Sequence, residues 1–530
     1  MVDTVAVASP LRQATDVGTD AARRGGNAID AAIATAAMLA VAYPANCGVG
    51  GDLLALVRDP DGRVTFVNAS GRSPRAIDPD AVRSRYDTMP MHGPLPVTVP
   101  GVVGGWDALH RHGAALAWTD LFAPAQSAAA DGVPVSAGLA SSIAEAVPLL
   151  GDFPDLAGLL APEGHPLAVG QTLRQPALAR TLHAIADAGA GALYDGDLTD
   201  ALCAGLVARG VPIVRDDLRE FEVTEGAPLV VDIAGWRVQA GRPNSQAYLV
   251  PRLLGMLASI DTPSGVDEPL GVEGPLHRRI TADRLALAFR LSSVERDAIL
   301  ADPRSMVQNV DELLAPEALR AFGERVMSEG GAVRDAGASG PHPGGDTVAI
   351  VAADDEGRSV SLIQSLFHGF GSLILEPSTG IVMHDRGACF VLDPASPNVL
   401  EPGKRPLHTL APVLAESLES GERLVVGTMG GHAQGQILTQ VLSHLFAGAS
   451  AQQAVSRPRM TVGAWESDES DDTVAWEDDL DPAMVSELAH GAGMHTVVPS
   501  QHSRMGHAHA IRIGAHPNHM DVGTDPRADG

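Results

Sequence analysis

The pair Asp346-Thr347 carries the clearest chemical possibility in the sequence. A turn-rich run, Gly337-Ala338-Ser339-Gly340-Pro341-His342-Pro343-Gly344-Gly345, stops at this pair, and an apolar run of β type begins at Val348. A threonine hydroxyl is a weak nucleophile at neutral pH unless a base stands beside it. The α-amine of the same residue is such a base when that residue is a chain N-terminus. Cutting the chain between Asp346 and Thr347 creates both groups at once. The plainer alternative is a loop that simply leads into a strand.

The segments that must position this pair follow from hydrophobic periodicity. Residues 348–353 and 359–366, joined by Asp354-Asp355-Glu356-Gly357, read as a β-hairpin. A strand over 423–427 runs into Thr428-Met429-Gly430-Gly431-His432, and a helix follows over 434–446. Upstream, residues 18–41 have helical spacing and read as one buried, Ala-packed helix with Asp30 near its middle. Gly48-Val49-Gly50-Gly51-Asp52 leads into strands over 53–57 and 64–68. That order, helix then glycine turn then strand, is the reverse of a dinucleotide fingerprint. Between 173 and 327 helical patterns alternate with short apolar runs such as 228–233, ending in a helix over 316–327 and a flexible linker at about 330–346.

Composition narrows the function classes. The chain has 530 residues with 45% hydrophobic and 4% aromatic content, so its core is built from Ala, Val and Leu. A formal charge of −28 argues against nucleic acid or an anionic membrane as partner. The three cysteines Cys47, Cys203 and Cys389 form neither a disulfide framework nor a CxxC metal site. The first residues lack a basic leader and an apolar core, and the longest apolar stretch, 31–44, is shorter than the roughly 20 residues that cross a bilayer. The expectation is a cytoplasmic protein. His507-Ala508-His509 puts two imidazoles on one face of a strand, and His502, His516 and His519 lie nearby. No third ligand has a clear spacing, so no metal is expected.

In the first half, Gly25-Gly26-Asn27-Ala28-Ile29-Asp30-Ala31-Ala32, Gly48-Val49-Gly50-Gly51 and Val99-Pro100-Gly101-Val102-Val103-Gly104-Gly105-Trp106 stand in order. In the second half come Gly345-Asp346-Thr347, Lys404-Arg405-Pro406-Leu407-His408-Thr409, Met429-Gly430-Gly431 and Ala454-Val455-Ser456-Arg457-Pro458-Arg459. Together they resemble the gamma-glutamyltransferase family of N-terminal nucleophile hydrolases, over most of the chain. The resemblance implies an α+β fold, a four-layer αββα sandwich. It also implies cleavage between Asp346 and Thr347 into an N-terminal subunit, 1–346, and a C-terminal subunit, 347–530, interleaved in one fold. Thr347 matches the nucleophile, Ser365 its companion hydroxyl, and Gly430 and Gly431 the oxyanion-hole glycines. No cofactor is implied. The implied partners are a small-molecule amide substrate and the chain's own processed fragment, with further dimerisation left open.

The specificity positions depart from the family. Ser70 stands where the carboxylate-gripping arginine belongs, with Arg72 two residues on; Cys389 replaces the acid that meets a substrate ammonium; Phe367 replaces a polar contact. His408 and Thr409 occupy a paired-serine position. Losing the partner of a buried charge costs several kcal/mol, on the order of 3–5, so a free γ-glutamyl group should bind poorly. Arg72 and Arg386 remain as anion grips or as structural salt-bridge partners. This pattern resembles the acylase and small-amide hydrolase subgroup, such as cephalosporin acylases and oxamate amidohydrolase. The expected activity is an amidohydrolase or acylase working through an acyl-enzyme on a carboxylate-bearing amide. The alternatives are a gamma-glutamyltransferase or glutathione hydrolase, and a non-catalytic relative. Val348, where some members have a second threonine, bears on how efficiently the chain is processed.

Overall fold

The computed structural model describes residues 5–260, 276, 280–328, 346–463, 472–490, 494–515 and 519–529. The expected linker, apart from Asp346, lies outside them, as do His516 and all but the last residue of the acidic run 466–472. Helices and sheets are mixed along the chain.

Two six-stranded sheets carry the site. Their strands, in chain order, are β1 (Val5–Ala8), β2 (Asp52–Arg58), β3 (Val64–Ala69), β4 (Thr224–Gly226), β5 (Leu229–Ile233), β6 (Trp236–Ala240), β7 (Asp346–Asp354), β8 (Ser359–Phe367), β9 (Val413–Ser417), β10 (Arg423–Thr428), β11 (Ala508–Ile513) and β12 (Met520–Thr524). The first sheet runs β1-β7-β8-β2-β3-β4 and the second β12-β11-β10-β9-β6-β5. Every pairing in both is antiparallel. The expected hairpin is β7–β8, and its register sets Thr347 opposite Ser365.

The apolar run of β7 reflects burial on both faces, since side chains alternate along a strand. Val348, Ile350 and Ala352 pack with the alanine-rich helical side. Ala349, Val351 and Ala353 pack with Val425, Ile511 and Ile513 of the second sheet. Each fully buried Val or Ile of this kind contributes roughly 1.5–3 kcal/mol. The sheets approach closely: a Cβ on Gly427 would stand 3.1 Å from the Ala349 Cβ and 2.9 Å from Ile363 Cδ1. By the same alternation Thr347 shares the inter-sheet face of β7.

The single helix expected over 18–41 is two helices, α1 (Arg12–Arg23) and α2 (Ala28–Ala42). Alanine periodicity runs through the break, but the backbone does not. Gly25 takes φ +96°, a left-handed conformation that glycine adopts readily. Asn27 then caps α2 in a reciprocal capping box with Asp30. All of α2 is buried. The expected helix over 434–446 is α3 (Gln434–Phe446), packed behind the second sheet.

Candidate active site

Thr347 and Ser365 are fully buried at the end of the β7–β8 hairpin. Their hydroxyls lie 2.9 Å apart. Ser365 Oγ donates to the main-chain carbonyl of Asp346 at 2.8 Å and accepts from the Phe367 N–H at 2.8 Å. A hydroxyl has one proton, and that of Ser365 is committed to the Asp346 carbonyl, so the proton in the Thr347–Ser365 contact belongs to Thr347. A directed chain results: Thr347 hydroxyl to Ser365 hydroxyl to the carbonyl of the preceding residue. The register slips between Ser365 and Phe367, and Phe367 takes φ +83°. This bulge is what lets the Phe367 N–H reach back to Ser365 Oγ. Burial, then the nearby Glu145, pushes the Asp346 carboxyl up to about 6.

Gly430 and Gly431 follow β10 with φ of +132° and +51°, conformations that explain the glycine pair. Among the described residues no acceptor takes either N–H. The loop is held by Gln246, whose Nε2 donates to the carbonyls of Gly431 at 2.9 Å and Thr409 at 2.8 Å. Arg296 in turn donates to Gln246 Oε1 at 3.2 Å. Gln246 thus ties the glycine loop to the segment carrying His408 and Thr409.

Asp52, which ends the first glycine turn, organises a fully buried polar cluster. Its Oδ2 accepts from His384 Nδ1 at 3.1 Å and His408 Nε2 at 3.0 Å, and its Oδ1 accepts from the Gly71 N–H at 3.1 Å. The Arg386 guanidinium stands 3.4 Å away. Burial works against the Asp52 charge, but His384 and His408 outweigh it and hold the carboxyl well below the usual carboxylate range. Burial, then Arg386, pushes His408 down to about 4, so it is neutral at pH 7. That agrees with Nε2–H donating to Asp52 while Nδ1 accepts from the Leu410 N–H at 3.3 Å.

The expected specificity residues separate here. Arg386 is fully buried, donates Nη1 to Thr409 Oγ1 at 3.0 Å and Cys389 Sγ at 3.7 Å, and lies over the Phe367 ring at 4.2 Å. Its Nη2 is buried with no hydrogen-bond partner among the described residues. Cys389, Phe367 and Thr409 therefore cluster around Arg386, and His408 joins them through Asp52. Arg72 is elsewhere engaged: it pairs with Asp302 at 3.0 Å and donates to the Gly403 carbonyl at 3.3 Å. Burial pushes the Cys389 thiol up to about 11, so it carries no charge at pH 7.

Sequence reasoning passed over Asp52, His384, His368 and Asp385. Asp52 lay inside a quoted glycine motif and His384 two residues before Arg386, and only their convergence in space distinguishes them. His507 and His509 are buried, with no partner for any of their four ring nitrogens among the described residues, and burial pushes them down to about 4 and about 3. Among the described residues no group of three or more His, Cys, Asp or Glu is arranged to hold a metal ion, and no helix is long and apolar enough to cross a membrane.

Comparison with known proteins agrees with this geometry. The sequence profile described as Gamma-glutamyltranspeptidase matches residues 14–530. The oxamate amidohydrolase proenzyme of Klebsiella pneumoniae is 34% identical over 96% of this chain and 94% of its own length. The glutathione hydrolase-like YwrD proenzyme of Bacillus subtilis is 32% identical over 99% of this chain and 97% of its own. The crystal structure of cephalosporin acylase from Bacillus halodurans superposes with a TM-score of 0.86 at 30% identity, covering 100% of this chain and 95% of that one. The chain belongs to the gamma-glutamyltranspeptidase family and is an N-terminal nucleophile hydrolase.

Proposed function

We propose that the chain cuts itself between Asp346 and Thr347 and then works as a threonine amidohydrolase or acylase on a small, carboxylate-bearing amide. The observation that carries this reading is the hydroxyl chain from Thr347 through Ser365 to the Asp346 carbonyl. As Thr347 Oγ1 attacks that carbonyl carbon, its proton passes to Ser365 Oγ while Ser365 gives its own proton to the carbonyl oxygen, which neutralises the charge that develops there. The C–N bond then breaks as the proton on the tetrahedral centre's oxygen moves to the nitrogen, and an ester joins Asp346 to Thr347 Oγ1. Water resolves the ester, leaving fragments 1–346 and 347–530 and a free α-amine on Thr347. That amine serves as base when the hydroxyl attacks an external amide. Gly430 and Gly431 offer N–H groups to the oxyanion. The fragments share both sheets, and the successive apolar clusters on either side of those sheets support a four-layer αββα arrangement.

The unpartnered Nη2 of Arg386 supports a carboxylate on the substrate, because a buried guanidinium without its full set of acceptors favours an anion. Oxamate, named in one relative, is such a compound. The neutral Cys389 thiol speaks against γ-glutamyl groups, whose ammonium would find no anion there. The test is twofold. The smaller fragment should begin at Thr347 by N-terminal sequencing. Purified protein should hydrolyse oxamate or an N-acyl amide ending in a carboxylate faster than γ-glutamyl-p-nitroanilide; the reverse order overturns the substrate assignment.

A further inference from the structure

His368 and Asp385 form a buried dyad that the chemistry above leaves unused. His368 Nδ1 lies 2.5 Å from Asp385 Oδ2, and the His368 main-chain N–H donates to Asp385 Oδ1 at 3.1 Å. Asp385 is itself fixed by its N–H, which donates to the Leu366 carbonyl at 3.2 Å. The carboxylate therefore holds the ring at two points and sets its tautomer: the proton sits on Nδ1, and the Nε2 lone pair points away from Asp385. That Nε2 is buried and has no hydrogen-bond partner among the described residues. Buried polar atoms are nearly always satisfied, so an unsatisfied one needs an explanation.

Its surroundings supply one. His368 lies between Phe367, which pairs with Asp346 and hydrogen-bonds Ser365, and Gly369, where a Cβ would stand 3.0 Å from Asp346 Oδ2. The His368 ring lies tilted against Phe367 with centroids 4.1 Å apart. Residues 365, 367 and 369 thus flank Asp346, and the residue that carries the oriented imidazole lies between the last two. A base held by a carboxylate, in the loop that packs against Asp346, is what ester hydrolysis requires. It matters most before the cut is complete, when the nitrogen of Thr347 has only just been released.

We infer that His368, oriented by Asp385, is the general base for the water that resolves the Asp346–Thr347 ester, and by the same placement the acyl-enzyme. This rests on the self-cleavage reading. Water adds to the ester carbonyl carbon and gives its proton to His368 Nε2. The tetrahedral centre then collapses, breaking the bond to Thr347 Oγ1, and that oxygen takes the proton back from the imidazolium. One ester and one water become one carboxylic acid and one alcohol. The site is therefore built for water as acceptor.

The test uses the chain as its own substrate. Wild-type protein, His368→Gln and Asp385→Asn are followed by denaturing gel and intact mass, with and without hydroxylamine, after thermal melting shows that each is folded. Hydroxylamine attacks esters without a general base. The expected result is that both variants stay largely uncut, with cleavage slowed about 100-fold or more, and that hydroxylamine cuts them into two pieces, the larger ending in a hydroxamate at Asp346. Asp385→Asn acts by placing the ring proton on Nε2. Cleavage of both variants at the wild-type rate overturns the inference, as does a folded, uncut variant that hydroxylamine fails to cut. Failure of the wild-type protein to cut itself overturns the self-cleavage reading beneath it.

Discussion

Ser365 Oγ donates to the main-chain carbonyl of Asp346 at 2.8 Å, the carbonyl that Thr347 attacks in the proposed self-cleavage, while standing 2.9 Å from the Thr347 hydroxyl. One side chain thus touches both the proposed nucleophile and the proposed electrophile. Replacing Ser365 with Ala removes the donor to the developing oxyanion and should slow self-cleavage by about 100–1,000-fold. A time course of fragment appearance on a denaturing gel checks this. Thr347→Ala should stop cleavage altogether, and full-speed cutting by either variant contradicts the proposed chain of hydroxyls.

Arg386→Lys keeps a positive charge near Asp52 but loses the planar fork. Its KM for a carboxylate-bearing amide should rise about tenfold or more, with kcat changed far less. Steady-state kinetics on matched amides with and without the carboxylate distinguish binding from general damage. An equal loss on both removes Arg386 from substrate recognition. Arg72→Lys, by contrast, should leave both KM values near wild type, because Arg72 is committed to Asp302.

Asp30 is a stability residue. Its carboxylate accepts from the N–H groups of Asn27 at 2.8 Å, Ala115 at 2.8 Å and Leu116 at 2.9 Å, closing the start of α2 onto the 113–116 loop. Asp30→Ala leaves one buried donor and two part-buried ones without an acceptor and should cost about 2 kcal/mol or more. Asp30→Asn, which retains one acceptor oxygen, should cost less. Urea unfolding of the uncut Thr347→Ala background measures both.

Acid should destabilise the fold across a defined window. His408 and His507 are pushed down to about 4 by burial, and an exposed imidazole in the unfolded chain titrates near 6.5. Between these values the unfolded chain binds more protons than the folded one, so stability is full above about pH 6.5 and falls as pH drops towards 4. Each such imidazole contributes a slope of roughly 1.4 kcal/mol per pH unit in that window. Unfolding free energies at pH 7, 6, 5 and 4 check the sign, and His408→Gln should flatten the slope.

Much of the site could be read from the chain because its signals are local. A Gly/Pro run stops at Asp346-Thr347 where a β-type run begins, and the family resemblance singles out Thr347 and Ser365, which the hairpin register sets opposite one another. The Asp52 cluster gave no local signal, because Asp52 meets His384 across 332 positions and His408 across 356. Arg72 and Arg386 looked equivalent for the same reason: what separates them is Asp302, 230 residues from Arg72. The break between α1 and α2 was marked by Gly25-Gly26, but the unbroken alanine periodicity of the flanking segments concealed it. The His368–Asp385 dyad spans only 17 residues, yet its meaning depends on a loop conformation that periodicity does not describe.

β7 begins at the proposed cut and is clamped between β1 and β8, while β8 pairs with β2 and β9 with β6. Strands from before and after residue 346 are therefore woven together in both sheets. Once the bond is severed, a chain that folded as one molecule can be rebuilt only by two molecules finding each other. Mature material should then show hysteresis, with thermal loss governed by the rate of unravelling and recovery that depends on protein concentration. The uncut Thr347→Ala form, still a single thread, should renature at any dilution.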